Sequence, residues 1–244
     1  MRFLILGLTV AFLPLSVMAG SSITYSAGGE EFEGYSAKAS GSSKGMVVII
    51  HDWDGLTDYE KKRADMLASM GYDAFALDLF GKGRLPKSIK ENKAMTGRLY
   101  KDRERMRSLL MAGLGEAQKS TGAKTVVMGY CFGGAAALEM ARSGRAQDIS
   151  GYVTFHGGLT TPKGQSYPKG SPPMLIAHGG ADTAVTMEHV AGLSKELEAA
   201  GITYEIEVYS GAPHAFTVFD SNRYRKAADE KSWAAFREFL KTNL

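Results

Sequence analysis

Cys131 is the only cysteine among the 244 residues, and it sits in Gly129-Tyr130-Cys131-Phe132-Gly133-Gly134. A thiol attacks carbonyl carbon strongly once it loses its proton, so it needs a base nearby, and the base needs a third group to orient it. Two later segments offer such groups. His178-Gly179-Gly180-Ala181-Asp182 supplies an acid, and Ser210-Gly211-Ala212-Pro213-His214-Ala215-Phe216 supplies an imidazole. Acyl transfer through a thioester is the chemistry this set suits. Each member has a plainer reading: Cys131 as a small buried apolar residue, Asp182 as the cap of a helix starting near Val185, His214 as a surface histidine. They are read together because each falls just after a strand-like run, in the order nucleophile, acid, histidine.

Those runs define the elements that must hold the three groups. Residues 125–128 are β-branched and brief enough for a strand buried on both faces, while 135–141 is an alanine-rich helical stretch. A strand turning straight into a helix strains its corner residue, which is tolerable only where the neighbours lack bulk, hence Gly129, Gly133 and Gly134. The corner lifts the sulfur into a cleft near a helix N-terminus, whose partial positive charge is expected to favour thiolate. Further strands are expected at 46–50, 73–79, 152–155, 174–177 and 204–209, and helices at 59–70, 133–142, 187–200 and 222–240. Residues 91–119 read as a long or broken helix, and 23–37 as a β-hairpin turning at Gly28-Gly29. The alternation predicts an α/β chain with a mostly parallel sheet covered on both faces, and ligands in such sheets bind beyond the carboxyl ends of the strands. The long loop 159–173 has two readings, a wall or cover for a cleft and a plain surface connection. Arg98, Lys101, Arg103, Arg105 and Arg107 alternate with apolar residues at helical spacing and are read as a solvated face.

An acyl-transfer site also needs donors for the developing oxyanion. The backbone N–H of Phe132 is one, and that of Trp53, after the strand at 46–50, is the expected second. With these motifs in place, the chain resembles the dienelactone hydrolase family of α/β-hydrolases. The resemblance covers essentially the whole sequence after residue 19 and is carried by Val47-Val48-Ile49-Ile50-His51-Asp52, Ala76-Leu77-Asp78-Leu79-Phe80, the Gly-Tyr-Cys-x-Gly-Gly corner, His178-Gly179-Gly180-Ala181-Asp182 and His214-Ala215-Phe216. It implies an α/β-hydrolase fold, a triad of Cys131, Asp182 and His214, and cofactor-free hydrolysis of an ester or lactone. The family's type enzyme has a glutamate as acceptor of the thiol proton, and the matching position is Asp52, one methylene shorter. It also grips a substrate carboxylate with two arginines. Lys82 or Arg84 is the expected replacement for one, and Thr217 stands near the other, so a planar bidentate grip is expected to be lost. His51 and His156, each ending a strand, are further candidates to face substrate.

The rest of the chain sets bounds. Residues 1–19 carry Arg2, an apolar run and Val17-Met18-Ala19 before Gly20, the pattern of a secretory signal peptide, so the protein is expected to be exported, periplasmic or secreted, with no stable membrane association after cleavage. About 225 residues remain, enough for one α/β domain without disulfide or metal staples, and a monomer is expected. The formal net charge of +3 is too small to point to nucleic acid. A metal-dependent hydrolase built on His51, Asp52, Asp54, His156, His178, His189 and His214 is disfavoured, because no histidine pair has close helical ligand spacing. A catalytically inactive binding protein on the same fold is the alternative, since fold alone does not confer activity.

Overall fold

The computed structural model describes residues 20–119 and 122–244; the signal-peptide reading of 1–19 lies outside the described residues. Eight strands form one sheet: β1 (Ser21–Ala27), β2 (Glu30–Ala37), β3 (Met46–Ile50), β4 (Asp73–Leu77), β5 (Thr125–Tyr130), β6 (Ile149–Phe155), β7 (Met174–Gly179) and β8 (Tyr204–Tyr209), in the spatial order β1-β2-β4-β3-β5-β6-β7-β8. The hairpin β1–β2 joins β4 antiparallel, and all remaining pairings are parallel. The alternation of runs predicts this mostly parallel α/β sheet, and the α/β-hydrolase form implied by the resemblance is the one observed.

Strands β3, β4, β5 and β7 are buried at every residue, which explains why they read as unbroken apolar runs rather than alternating ones. Their side chains divide by parity between two cores. Val48, Ile50, Leu77 and Val127 pack with Leu110, Leu138 and Leu193 of α3 (Arg103–Gln118), α4 (Phe132–Ser143) and α5 (Met187–Ala200). Val47, Ile49, Ala76 and Met128 pack with Leu67 of α1 (Asp58–Ser69) and Phe236 of α6 (Lys226–Asn243). The basic segment is broken in two: α2 (Ile89–Lys101) ends at Asp102, whose Oδ1 accepts the Arg105 N–H at 2.9 Å and so starts α3 afresh.

The chain leaves β3 for β4 on one side and later returns to place β5 on the other. That reversal opens a crevice at the carboxyl ends of β3 and β5, where ligands of open α/β sheets bind.

Candidate active site

Cys131 stands in that crevice, between the last residue of β5 and the first of α4. Its φ of 51° and ψ of −109° lie in a region that costs a side-chain-bearing residue on the order of 1–3 kcal/mol. The surroundings over-determine the conformation. Its N–H donates to Phe155 O at 3.0 Å, and its carbonyl accepts from Ala135 N at 3.2 Å and Gly158 N at 3.4 Å. The flanking glycines answer to contacts, not to flexibility: a Cβ on Gly133 would lie 2.2 Å from Ile50 O, and one on Gly134 would lie 2.2 Å from Thr154 Oγ1.

His214 and Asp182 arrive from the loops after β8 and β7. His214 Nδ1 donates to Asp182 Oδ2 at 2.7 Å, which leaves Nε2 to accept from the Cys131 thiol at 3.0 Å. The other oxygen of Asp182 accepts the N–H groups of Ala184 at 2.8 Å and Val185 at 2.9 Å. Burial works against its charge, but the His214 bond and those N–H groups hold the carboxyl below its ordinary range. The capping role therefore coexists with the contact to histidine. The acid and histidine loops also touch directly: Ala181 N donates to Ala212 O at 3.0 Å, and a Cβ on Gly179 would lie 2.4 Å from that same oxygen.

The thiol differs from expectation. Burial first, then the Asp52 carboxyl, pushes it up to about 12, and the Phe132 N–H at the start of α4 opposes this without prevailing. At rest it is a thiol, not a thiolate, while Cys131 as a residue stays half-buried and within reach of a small molecule. Phe132 N–H faces the sulfur, and the Trp53 N–H makes no hydrogen bond among the described residues. Trp53 follows β3 and Phe132 follows β5, the two strands whose carboxyl ends form the crevice.

Asp52 also departs from its expected part. Its carboxyl lies with those of Asp54 and the buried Glu60, one oxygen of each within 4.8 Å of the others. Burial, then the hydrogen bond and charge of Asp54, lift it to about 9, and burial lifts Glu60 to about 7. A carboxyl that already carries a proton at neutral pH cannot accept one from the thiol. Sequence reading passed over Glu60, whose signal is the capping box with Thr57 at the start of α1.

His51 and His156 do not face substrate. His51 is wholly buried, with Nδ1 donating to Asp52 O at 2.6 Å and Nε2 accepting from Leu79 N at 3.1 Å, so it staples the ends of β3 and β4. His156 is equally buried. Its Nε2 lies 2.7 Å from Thr217 Oγ1, and its ring meets that of His214 edge-on at 5.3 Å, which makes it a support for the histidine. Lys82 and Arg84 are drawn instead to the β1–β2 hairpin, Lys82 Nζ donating to Thr24 Oγ1 at 3.1 Å and Arg84 Nη1 to Glu30 Oε2 at 3.1 Å.

Two arginines line a cavity next to the Cys131 loop: Arg103, from the segment read as a solvated face, and Arg142 of α4. This cavity of about 300 Å³ is lined by Ala135 and Gly158, which hold the Cys131 carbonyl, by Ala184 and Val185, which hold Asp182, and by Tyr100, Arg103, Arg142 and His189. Leu159 and Thr160 of the long loop complete its wall. Glu139, fully buried, pairs with Arg103, Arg107 and Arg142 together, so positive charge remains in excess at this wall. Arg98, Lys101 and Arg105 do lie on the outer face, Arg105 pairing with Glu30.

The model of the Dienelactone hydrolase family matches residues 32–244. A carboxymethylenebutenolidase of Rhodococcus opacus is 26% identical over 224 residues, covering 85% of each chain. The crystal structure of a dienelactone hydrolase-like promiscuous phosphotriesterase from metagenomic libraries superposes with a TM-score of 0.82 at 27% identity, over 92% of this chain and 98% of that one. The esterase Est2 of Thermogutta terrifontis, at 17% identity and a TM-score of 0.64 over 93% of each chain, shares the fold. The chain belongs to the dienelactone hydrolase family and is an ester hydrolase of that type.

Proposed function

We propose that the protein is an exported, cofactor-independent hydrolase that cleaves a small ester or lactone through a thioester on Cys131. The observation that carries this reading is the unbroken run of contacts from thiol to imidazole to carboxylate, 3.0 Å and 2.7 Å long, at the crevice between β3 and β5. Sγ attacks the carbonyl carbon as its proton passes to His214 Nε2, so the thiolate need not exist beforehand. The N–H groups of Phe132 and Trp53 hold the oxyanion, a kind of contact worth roughly 10² to 10³ in rate per donor. On collapse, His214 returns the proton to the leaving alkoxide. A water then attacks the thioester, His214 takes the water's proton, and the acid leaves as the sulfur is reprotonated. Asp182 holds the histidine tautomer throughout and stabilises the transient imidazolium.

The cavity beside Cys131 receives the rest of the substrate, and its surplus of arginine favours a substrate carrying a carboxylate. With its side chain 26% exposed, Arg103 is the cation most open to it.

A panel of small esters and lactones, each with and without a carboxylate, tests both statements. Cys131→Ala is expected to abolish turnover with the fold intact by circular dichroism. Arg103→Gln is expected to raise KM for the anionic members by about tenfold, equivalent to ~1.4 kcal/mol, and to leave the neutral ones unchanged. Normal turnover by Cys131→Ala would overturn the mechanism. Absence of both turnover and labelling by an electrophilic ester probe in the native protein would favour the binding-protein alternative.

A further inference from the structure

Gly20 stands directly after Val17-Met18-Ala19 and directly before β1, and it is closely fitted. Its nitrogen lies 3.2 Å from Asp65 Oδ1 on α1, and the same oxygen accepts the Tyr35 hydroxyl of β2 at 2.9 Å. A Cβ at residue 20 would meet Ser36 O at 2.4 Å and the Tyr35 ring at 2.6 Å. Because one of these atoms is backbone in a paired strand, it cannot move aside cheaply. Only glycine brings the chain nitrogen to that carboxylate.

As a peptide nitrogen this group is a neutral donor. Hydrolysis at the bond between residues 19 and 20 adds one water: residue 19 departs as a carboxylate, and the Gly20 nitrogen becomes an amine that takes up a proton. The geometry then points to a second purpose for that position. We propose that removal of residues 1–19 creates a Gly20 ammonium that forms an ion pair with Asp65, so that the new terminus is a fitted part of the folded protein. This rests on the export reading above. A charged donor makes a shorter and roughly twice as strong hydrogen bond as a neutral one, so cleavage tightens the junction of β1, β2 and α1.

The test exports the full chain from a bacterial host, reads the N-terminus of the purified protein by intact mass, and follows acylation of the α-amine near neutral pH by peptide mass spectrometry. The chain is expected to begin at Gly20. Its α-amine is expected to acylate about tenfold more slowly than in Asp65→Asn, as for an amine pKa held up by one unit. In Tyr35→Phe, which keeps the carboxylate, the slow rate is expected to persist. The same slowing is expected against the wild-type chain unfolded in urea, which needs no variant. A terminus at any other residue overturns the export site and the ion pair together. A terminus at Gly20 with equal rates in wild type and Asp65→Asn overturns the ion pair alone.

Discussion

Asp52 shows how burial sets the chemistry of a single residue. Its folded pKa of about 9 lies far above the ordinary carboxyl value, so the protein binds a proton there that the unfolded chain has lost by neutral pH. The contribution to stability is full below the unfolded pKa and disappears as pH rises through the folded one. Asp52→Asn, which keeps the neutral shape, is therefore expected to gain melting temperature relative to wild type between pH 5 and pH 9; a constant offset across thermal melts in that range would contradict it. Sequence could place Asp52 after a strand but not count the acids around it. Glu60 reaches Asp52 only through the turn of α1, and Asp54 through a local bend. By contrast, Cys131, Asp182 and His214 were legible because each follows a strand within a few residues. Lys82 and Arg84 were misread for the opposite reason: a long flexible side chain near a strand end says little about where its charge rests.

At the scale of the element, the corner between β5 and α4 is the tightest packing in the site. A Cβ on Gly133 would press on the carbonyls of both Ile50 and His51, at 2.2 Å and 2.5 Å, and these belong to the strand that also positions Trp53. Gly133→Ala is expected to destabilise the protein by about 1–3 kcal/mol in urea unfolding, the usual cost of overpacking, and to lower kcat because the two proposed oxyanion donors, Phe132 and Trp53, shift. Loss of stability with unchanged kcat would show that the corner is structural only. Such corners announce themselves in sequence, since the glycines have no other local use. The strands announce themselves as well, and two predicted positions agree with buried β3 and half-buried β8 to the residue. The division between α2 and α3 was not fixed beforehand, because the apolar spacing runs on across Asp102 and only the side-chain cap on Arg105 breaks it.

Across the whole molecule, Arg63 ties α1 and α6 of one layer to the loop after β8. It is almost completely buried on α1, pairs with Asp229 of α6, and donates to Thr217 O at 3.0 Å in the loop that carries His214. The rings of Phe219 and Trp233 lie 4.3 Å and 4.8 Å from its guanidinium carbon. Arg63→Met leaves Asp229 buried without its partner, and a loss of about 3–5 kcal/mol in equilibrium unfolding is expected, with kcat falling through the displaced histidine. Restoring stability but not activity with the double variant Arg63→Met, Asp229→Leu would separate the two effects. None of this was visible in the sequence, where the partners are more than 150 residues apart.

The direct contact between the loops after β7 and β8 has a consequence for how such a protein changes over time. Acid and imidazole are locked to one another through Gly179, Ala181 and Ala212, whereas one part of the cavity wall, Tyr100, Arg103, Leu159 and Thr160, is borrowed from α2, α3 and the loop at 159–173. Mutation at those four positions can reshape what is admitted without touching the contacts among Cys131, His214 and Asp182, so descendants of this scaffold are free to drift among substrates while inheriting the proposed chemistry intact.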